Sequence, residues 1–285
     1  MNFINPKTDF AFKKIFGSPE SQQILISFLN ALIYQGESVI AELEIIDPYL
    51  APKITGLKDT YLDVKAKLKD GSLVIIEIQV LNVASFTKRV LYNAAKAYSV
   101  QLQAGEGYSC LKPVIALTIT DFTMFEEKYG LINHFIFKEK GSNLTLPDSE
   151  LSLVFVELPK FSKDSSHLES LTDKWLYFMK QATTLDVVPE TMAEVPEIEQ
   201  AFHLAERGNL SAQELEDLEK REIFIQDQQG AIVKARKEGL SAGEAQGSAK
   251  KAVEIARQLL EVLDDETISR TTGLSVEEVR KLRDE

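Results

Sequence analysis

The segment "YLDVKAKLKDGSLVIIEIQV" carries two carboxylates, Asp63 and Glu77, in strand-like surroundings. Glu77 and Gln79 interrupt an otherwise apolar run of Leu73, Val74, Ile75, Ile76, Ile78 and Val80. Burying even a neutral polar group without a partner costs roughly 2–7 kcal/mol, so an acid in such a strand needs a reason. Two carboxylates that meet repel, and one pKa rises unless a proton or a cation intervenes. A divalent cation resolves the conflict, because Mg²⁺ is commonly held by one or two carboxylates plus waters.

Whether Asp63 and Glu77 meet is a question of register, which decides which side chains share a face. The segment alternates, turns at Asp70-Gly71 and alternates again, the pattern of a hairpin. A two-residue Asp70-Gly71 loop sets Val64 against Glu77 and leaves both faces mixed. A three-residue loop, Lys69-Asp70-Gly71 with Gly71 in a left-handed bulge, pairs Leu62 with Ile78, Val64 with Ile76 and Ala66 with Val74. One face is then uniformly apolar. On the other, Asp63 opposes Glu77 and Tyr61 opposes Gln79, with opposed Cβ atoms about 4.5–5.5 Å apart. The main-chain carbonyl at Ile78 is a candidate third ligand. The competing reading is a solvated face on which Lys65, Lys67 and Lys69 neutralise the two acids.

The surrounding elements follow from periodicity. "SPESQQILISFLNALI" is an amphipathic helix with Ser18 as cap and Pro19 in its first turn. "LEIIDPYL", "KPVIALTIT", "LINHFIFK" and "LSLVFVELP" are strand candidates, and "FTKRVLYNAAKAYSVQLQAGEGY" has helical spacing up to Gly105. Beyond Phe161 the pattern is helical. Ser211 and Glu214 have capping-box spacing, and the last segment reads as two short helices around Gly273. Gly239, Gly243 and Gly247 recur every four residues, either to admit a close helix neighbour or merely loosening a solvated helix. The expected organisation is α/β: a mixed sheet flanked by helices over residues 1–160, then a helical, acidic extension over 161–285. Residues 264–283 weakly resemble a helix-turn-helix, and self-association through the C-terminal helices is the expectation their acidity favours.

Composition narrows the partners. The net charge is −12, but residues 1–140 hold 15 Lys+Arg against 15 Asp+Glu, so the deficit lies in the second half. Lys53 to Lys69 contains five lysines, and "KRVLYNAAK" has three cations and no acid. Local basic patches rather than pI govern phosphate contact, which leaves nucleic acid open as a partner. Cys110 is the only cysteine, which excludes an intrachain disulfide. No apolar run approaches the roughly 20 residues of a membrane span, and "MNFINPKTDF" does not read as a signal peptide. A cytoplasmic protein without a membrane partner is expected.

Asp63 followed by Glu77-Ile78-Gln79 resembles the D…(D/E)xK signature of PD-(D/E)xK nucleases, with Gln at the Lys position. "KTDFAFKKIFG", "FLNALI" and "KRVLYNAAKAYSVQLQAGEGYSCLKPVIALTITDF" extend the likeness to the recombination-promoting nuclease and putative transposase family. That resemblance implies a restriction-endonuclease-like fold and Mg²⁺- or Mn²⁺-dependent cleavage of a DNA phosphodiester. It implies Asp63, Glu77 and the Ile78 carbonyl as metal ligands, with Gln79 orienting water. Lys65 is a candidate substitute for the missing lysine. Asp9 is either an additional acid from the first helix or that helix's N-cap, a favoured place for Asp. Lys65, Lys67, Arg89, Tyr92 and Lys96 are the candidate DNA contacts, the last three on one helix face. A DNA-binding protein without catalysis and a protein-interaction module are the competing readings.

Overall fold

The computed structural model describes residues 3–50, 59–146 and 150–285. Lys53 and Lys58 of the basic stretch, and residues 147–149 of the loop before the last expected strand, lie outside them. The chain divides into two compact units, Met1–Ile225 and Gln226–Glu285.

The first unit opens with helices α1 (Asp9–Phe16) and α2 (Gln22–Ile33), the latter preceded by a short 3-10 turn at Pro19–Ser21. Strands β1 (Leu43–Ile46), β2 (Tyr49–Leu50), β3 (Thr60–Tyr61), β4 (Val64–Leu68) and β5 (Leu73–Gln79) follow. Helix α3 (Phe86–Ser99) crosses to β6 (Val114–Thr120), and β7 (Ile132–Phe135) and β8 (Leu151–Glu157) complete the strands. The sheet has six strands in the order β1-β4-β5-β6-β8-β7, and β2 pairs with β3 in a separate ribbon. β5, β6 and β8 are parallel to one another, while β1 and β4, β4 and β5, and β7 and β8 are antiparallel.

Both faces of the central strands are covered, which is why they read as near-continuous apolar runs. Val74, Ile76, Ile78, Leu117 and Ile119 join the main core with residues of α1 and α2. On the other face Ile75 and Ala116 pack with Ala94 and Ala97 of α3, and Phe155 packs with Phe86 and Val90.

Helices α4 (Leu171–Gln181), α5 (Glu190–Ala193) and α6 (Pro196–Ala205) belong to this same core. Trp175 packs 5.7 Å from Phe16 and 5.3 Å from Phe28, ring centre to ring centre, and Phe202 lies 4.8 Å from Phe178. The first compact unit therefore extends past residue 160, because α4 and α6 supply the aromatic side chains that seat α1 and α2. Helix α7 (Ala212–Leu259) begins at the expected capping box: the Ser211 N–H donates to Glu214 at 2.8 Å, and the Glu214 N–H donates back to the Ser211 hydroxyl at 3.3 Å.

The second unit contains α8 (Asp265–Thr272) and α9 (Val276–Asp284). Ala256, Ile268 and Val279 form its buried centre, flanked by Leu259, Leu263 and Leu282. Gly273 ends α8 at φ +77°, a conformation other residues rarely adopt. Among the described residues no helix is long and apolar enough to cross a membrane.

Candidate functional site

The hairpin adopts the three-residue loop. Val64 pairs with Ile76 and Ala66 with Val74, and Gly71 has φ +91°. The Leu68 N–H donates to the Ser72 carbonyl at 2.8 Å, closing the loop over Lys69, Asp70 and Gly71.

The register does not continue beyond Val64 as the sequence pattern expects. The Asp63 N–H also donates to the Ile76 carbonyl, at 3.2 Å, so Asp63 and Val64 both oppose Ile76 in a bulge. Leu62 turns to the α3 side, joining Ile75 and Ala97, and its N–H donates to the Pro48 carbonyl at 3.2 Å. Tyr61 pairs with Tyr49 across the β2–β3 ribbon rather than with Gln79. The expected pairs Leu62–Ile78, Asp63–Glu77 and Tyr61–Gln79 are thus replaced, since Asp63 opposes Ile76. In their place the Asp63 carboxylate accepts the Ile78 N–H at 2.8 Å, doing what a strand carbonyl would have done.

The bulge delivers Asp63 to a cleft of about 870 Å³ that Glu77, Ile78, Gln79, Arg89, Tyr92 and Asn93 also line. Asp9 reaches the same cleft from α1. Ile78 lies beyond the last β4 partner, and the N–H and C=O of one strand residue share an edge. Its carbonyl therefore lies on the edge where Asp63 sits.

Burial pushes the Asp63 carboxyl up from 3.8 to about 6, against the Ile78 N–H and the Lys13 ammonium, which favour its charged form; Glu77 and Asp9 add to the rise. Lys13 Nζ stands 3.8 Å from Asp63 Oδ1. Glu77 is nearly buried; Asn93 donates to its Oε1, and Arg89 Nε lies 3.6 Å from Oε2. Arg89 also donates to the Gln79 side-chain oxygen, and the Gln79 amide nitrogen donates to the Leu81 carbonyl at 2.9 Å. Gln79 is thus bonded at both ends.

The remaining expected contacts separate. Tyr92 is half exposed in the cleft. Lys96 is a correction: it is buried, and its ammonium reaches the Thr60 hydroxyl at 3.3 Å instead of facing solvent. One turn beyond Tyr92 the helix face has already turned under the β2–β3 ribbon. Lys65 does not line the cleft; its Nζ donates to the Asp47 carbonyl at 3.1 Å, and burial lowers its pKa. Lys67 is exposed near Glu44 and Leu43, away from the acids. The cap of α1 is Thr8, whose hydroxyl accepts the Ala11 N–H at 3.3 Å, so Asp9 is the first helical residue and pairs with Arg221.

Two residues at the site escaped the sequence reading. Asn93 is one helical turn from Arg89, a polar residue on the same stripe as Val90 and Ala97, and that misfit was its signal. Lys13 is four residues after Asp9, so the two share a face of α1, alongside buried Phe12 and Phe16.

The site offers two carboxylates and a main-chain carbonyl, all hard oxygen donors of the kind Mg²⁺ takes. Among the described residues no group of three His, Cys, Asp or Glu side chains is placed to hold a metal ion. A metal would therefore rest on the acid pair, the carbonyl and water.

A mixed sheet flanked by helices, with an acid pair where its central hairpin bulges, defines an α/β restriction-endonuclease-like architecture. Residues 6–235 match the family model described as PD-(D/E)XK nuclease family transposase. Residues 249–284 match that of the Rpn/YhgA-like nuclease family, C-terminal HTH domain. The chain belongs to the PD-(D/E)XK nuclease family transposases. No curated protein and no solved structure matches it. The second match spans all of residues 264–283, the segment that weakly resembles a helix-turn-helix, and describes it as one.

Proposed function

We propose that this protein is a divalent-metal-dependent DNA endonuclease in which Asp63, Glu77 and the Ile78 carbonyl hold Mg²⁺ or Mn²⁺. The observation that carries this reading is the bulge that sends Asp63 into the cleft of Glu77. Such a metal, when bound, acidifies water and stabilises charge on a phosphate. The chain's own residues do the rest. The Ile78 N–H and Asn93 fix the two carboxylates. Lys88 and Arg89 line the cleft and supply positive charge for the phosphate backbone. Gln79 stands at the motif's lysine position; it can orient water by hydrogen bonding but cannot supply charge.

The C-terminal match supports a DNA contact by the second unit as well. There Arg280 and Arg283 lie 3.6 and 2.9 Å from Asp265, tying α9 to α8, while Lys281 carries a further positive charge on α9.

Purified full-length protein incubated with plasmid and Mg²⁺ or Mn²⁺ tests the proposal. Cleavage that disappears in Asp63→Ala and Glu77→Ala is the expected result. Equal cleavage by either variant, or no metal binding by the parent, overturns it. DNA binding without cleavage would support the catalytically silent alternative, which the engagement of both ends of the Gln79 amide favours.

A further inference from the structure

Beside the acid pair stands an aromatic surface that the fold does not use. Tyr61 is 71 % exposed, yet it lines the cleft that holds Asp63 and Glu77. Its ring stacks on Tyr49 across the β2–β3 ribbon, with centres 4.9 Å apart and planes 29° from parallel. The Tyr49 hydroxyl donates to Asp59 at 2.8 Å and its N–H to Asp47 at 2.9 Å, so the lower ring is fixed at both ends. Tyr92, also half exposed, faces the same cleft from α3, with Lys88 and Arg89 beside it.

A stacked pair serving only stability gains by burying its outer ring, since each Å² of apolar surface removed from water contributes about 25 cal/mol. Here the outer ring is presented instead, in a cleft that two cations also line. Rigid aromatic rings alongside positive charge are what proteins use to hold single-stranded nucleic acid, because every base has a face to stack. A base inside a duplex is already stacked and reaches such a ring only when unpaired. Tyr61 precedes Asp63 by two residues, at most about 7 Å of extended chain. That is about two steps of ~3.4 Å along a DNA strand. A base on Tyr61 would thus lie within about two nucleotides of the phosphate at the carboxylates.

We infer that the Tyr49–Tyr61 stack is a platform for an unpaired DNA base, so that the substrate is single-stranded or locally unpaired DNA. The inference rests on the nuclease reading for what happens at the phosphate, but binding to the platform is measurable without cleavage. Fluorescence anisotropy of the full chain in EDTA, with a labelled DNA strand, its duplex and the RNA strand of the same sequence, tests it. Tyr61→Ala should weaken single-strand binding by about 5- to 150-fold, the range for loss of one base–aromatic stack. Tyr61→Trp should retain it, and duplex binding should be unchanged in both. Unaltered single-strand binding in Tyr61→Ala, or an equal loss on duplex, overturns the inference, as does tighter binding of the RNA strand. Tyr61→Leu, which keeps apolar bulk without a ring, replaces Tyr61→Ala if circular dichroism shows that variant unfolded. Absence of cleavage by the parent in Mg²⁺ would refute the nuclease reading while leaving the anisotropy result to decide the platform.

Discussion

The Asp63 carboxylate accepts the Ile78 N–H at 2.8 Å, at the point where the β4–β5 ladder gives way to a bulge. This bond gives the acid a structural partner, yet burial still outweighs it and holds the carboxyl at about 6 against 3.8. The sign of the consequence is fixed. Between those values the folded chain keeps a proton that the unfolded chain releases, so stability falls as pH rises from about 3.8 to about 6. The cost at neutral pH is on the order of 3 kcal/mol. Asp63→Asn keeps an oxygen for the Ile78 N–H and removes the charge. In EDTA its urea midpoint should exceed that of the parent near neutral pH, and the two should converge near pH 4. A neutral-pH midpoint no higher than the parent's would contradict it.

Asn93 is the donor to a carboxylate that has almost no access to water. Asn93→Ala leaves Glu77 Oε1 without that partner, at an expected cost of about 1–3 kcal/mol in thermal or urea unfolding. Asn93→Asp should cost more, because it sets a second negative charge against Glu77. If both variants melted with the parent, Asn93 would have no part in holding Glu77.

The hairpin was legible because alternation and turn chemistry act locally: only the three-residue loop makes one face apolar, and Gly71 at φ +91° completes it. The bulge was not legible. It depends on where the Leu62 N–H finds a carbonyl, and that carbonyl belongs to Pro48, outside the hairpin. Lys96 and Tyr92 show the same limit on α3. Spacing put them on one face, but only the position of the β2–β3 ribbon decides that Lys96 is buried and Tyr92 half exposed. The extent of the first unit was hidden for a related reason, since α4 and α6 are amphipathic and periodicity does not say what they cover.

The glycines of α7 can be sorted by the sign of a substitution. Nothing lies within 4 Å of a Cβ built on Gly239, Gly243 or Gly247. Each replacement by Ala should therefore stabilise the helix by about 1 kcal/mol, from propensity alone. Circular dichroism of the triple variant should show a higher melting temperature for the helical signal. Were these glycines the seam of a self-association surface, Ala would lower the melting temperature and weaken sedimentation of the oligomer.

Acid should loosen the start of α7. The Lys14 ammonium, followed by the Ser211 N–H and hydroxyl, holds Glu214 at about 2 against 4.5. The folded value is depressed, so the stability it contributes is present above 4.5 and is lost as pH falls toward 2. Glu214→Gln should lower stability at neutral pH and converge with the parent as pH falls toward 2, which flattens that part of the acid-unfolding curve. A parallel downward shift at all pH values would mean that the charge of Glu214 is not what matters.

Restoring lysine at position 79 is the obvious way to strengthen a weakened motif, and the geometry argues against the single change. Arg89 donates to the Gln79 oxygen and also lies 3.6 Å from Glu77 Oε2. Lysine at 79 would bring a second cation against the guanidinium and remove the acceptor that holds it. Opposed like charges at such range cost energy even in the higher effective dielectric near a surface. Gln79→Lys alone should therefore give no gain in plasmid cleavage, whereas Gln79→Lys with Arg89→Gln should exceed the Arg89→Gln single variant, because the new ammonium then has Glu77 to itself. A gain from Gln79→Lys alone would show that Arg89 moves away freely. No gain in the pair would mean that position 79 does not limit the rate.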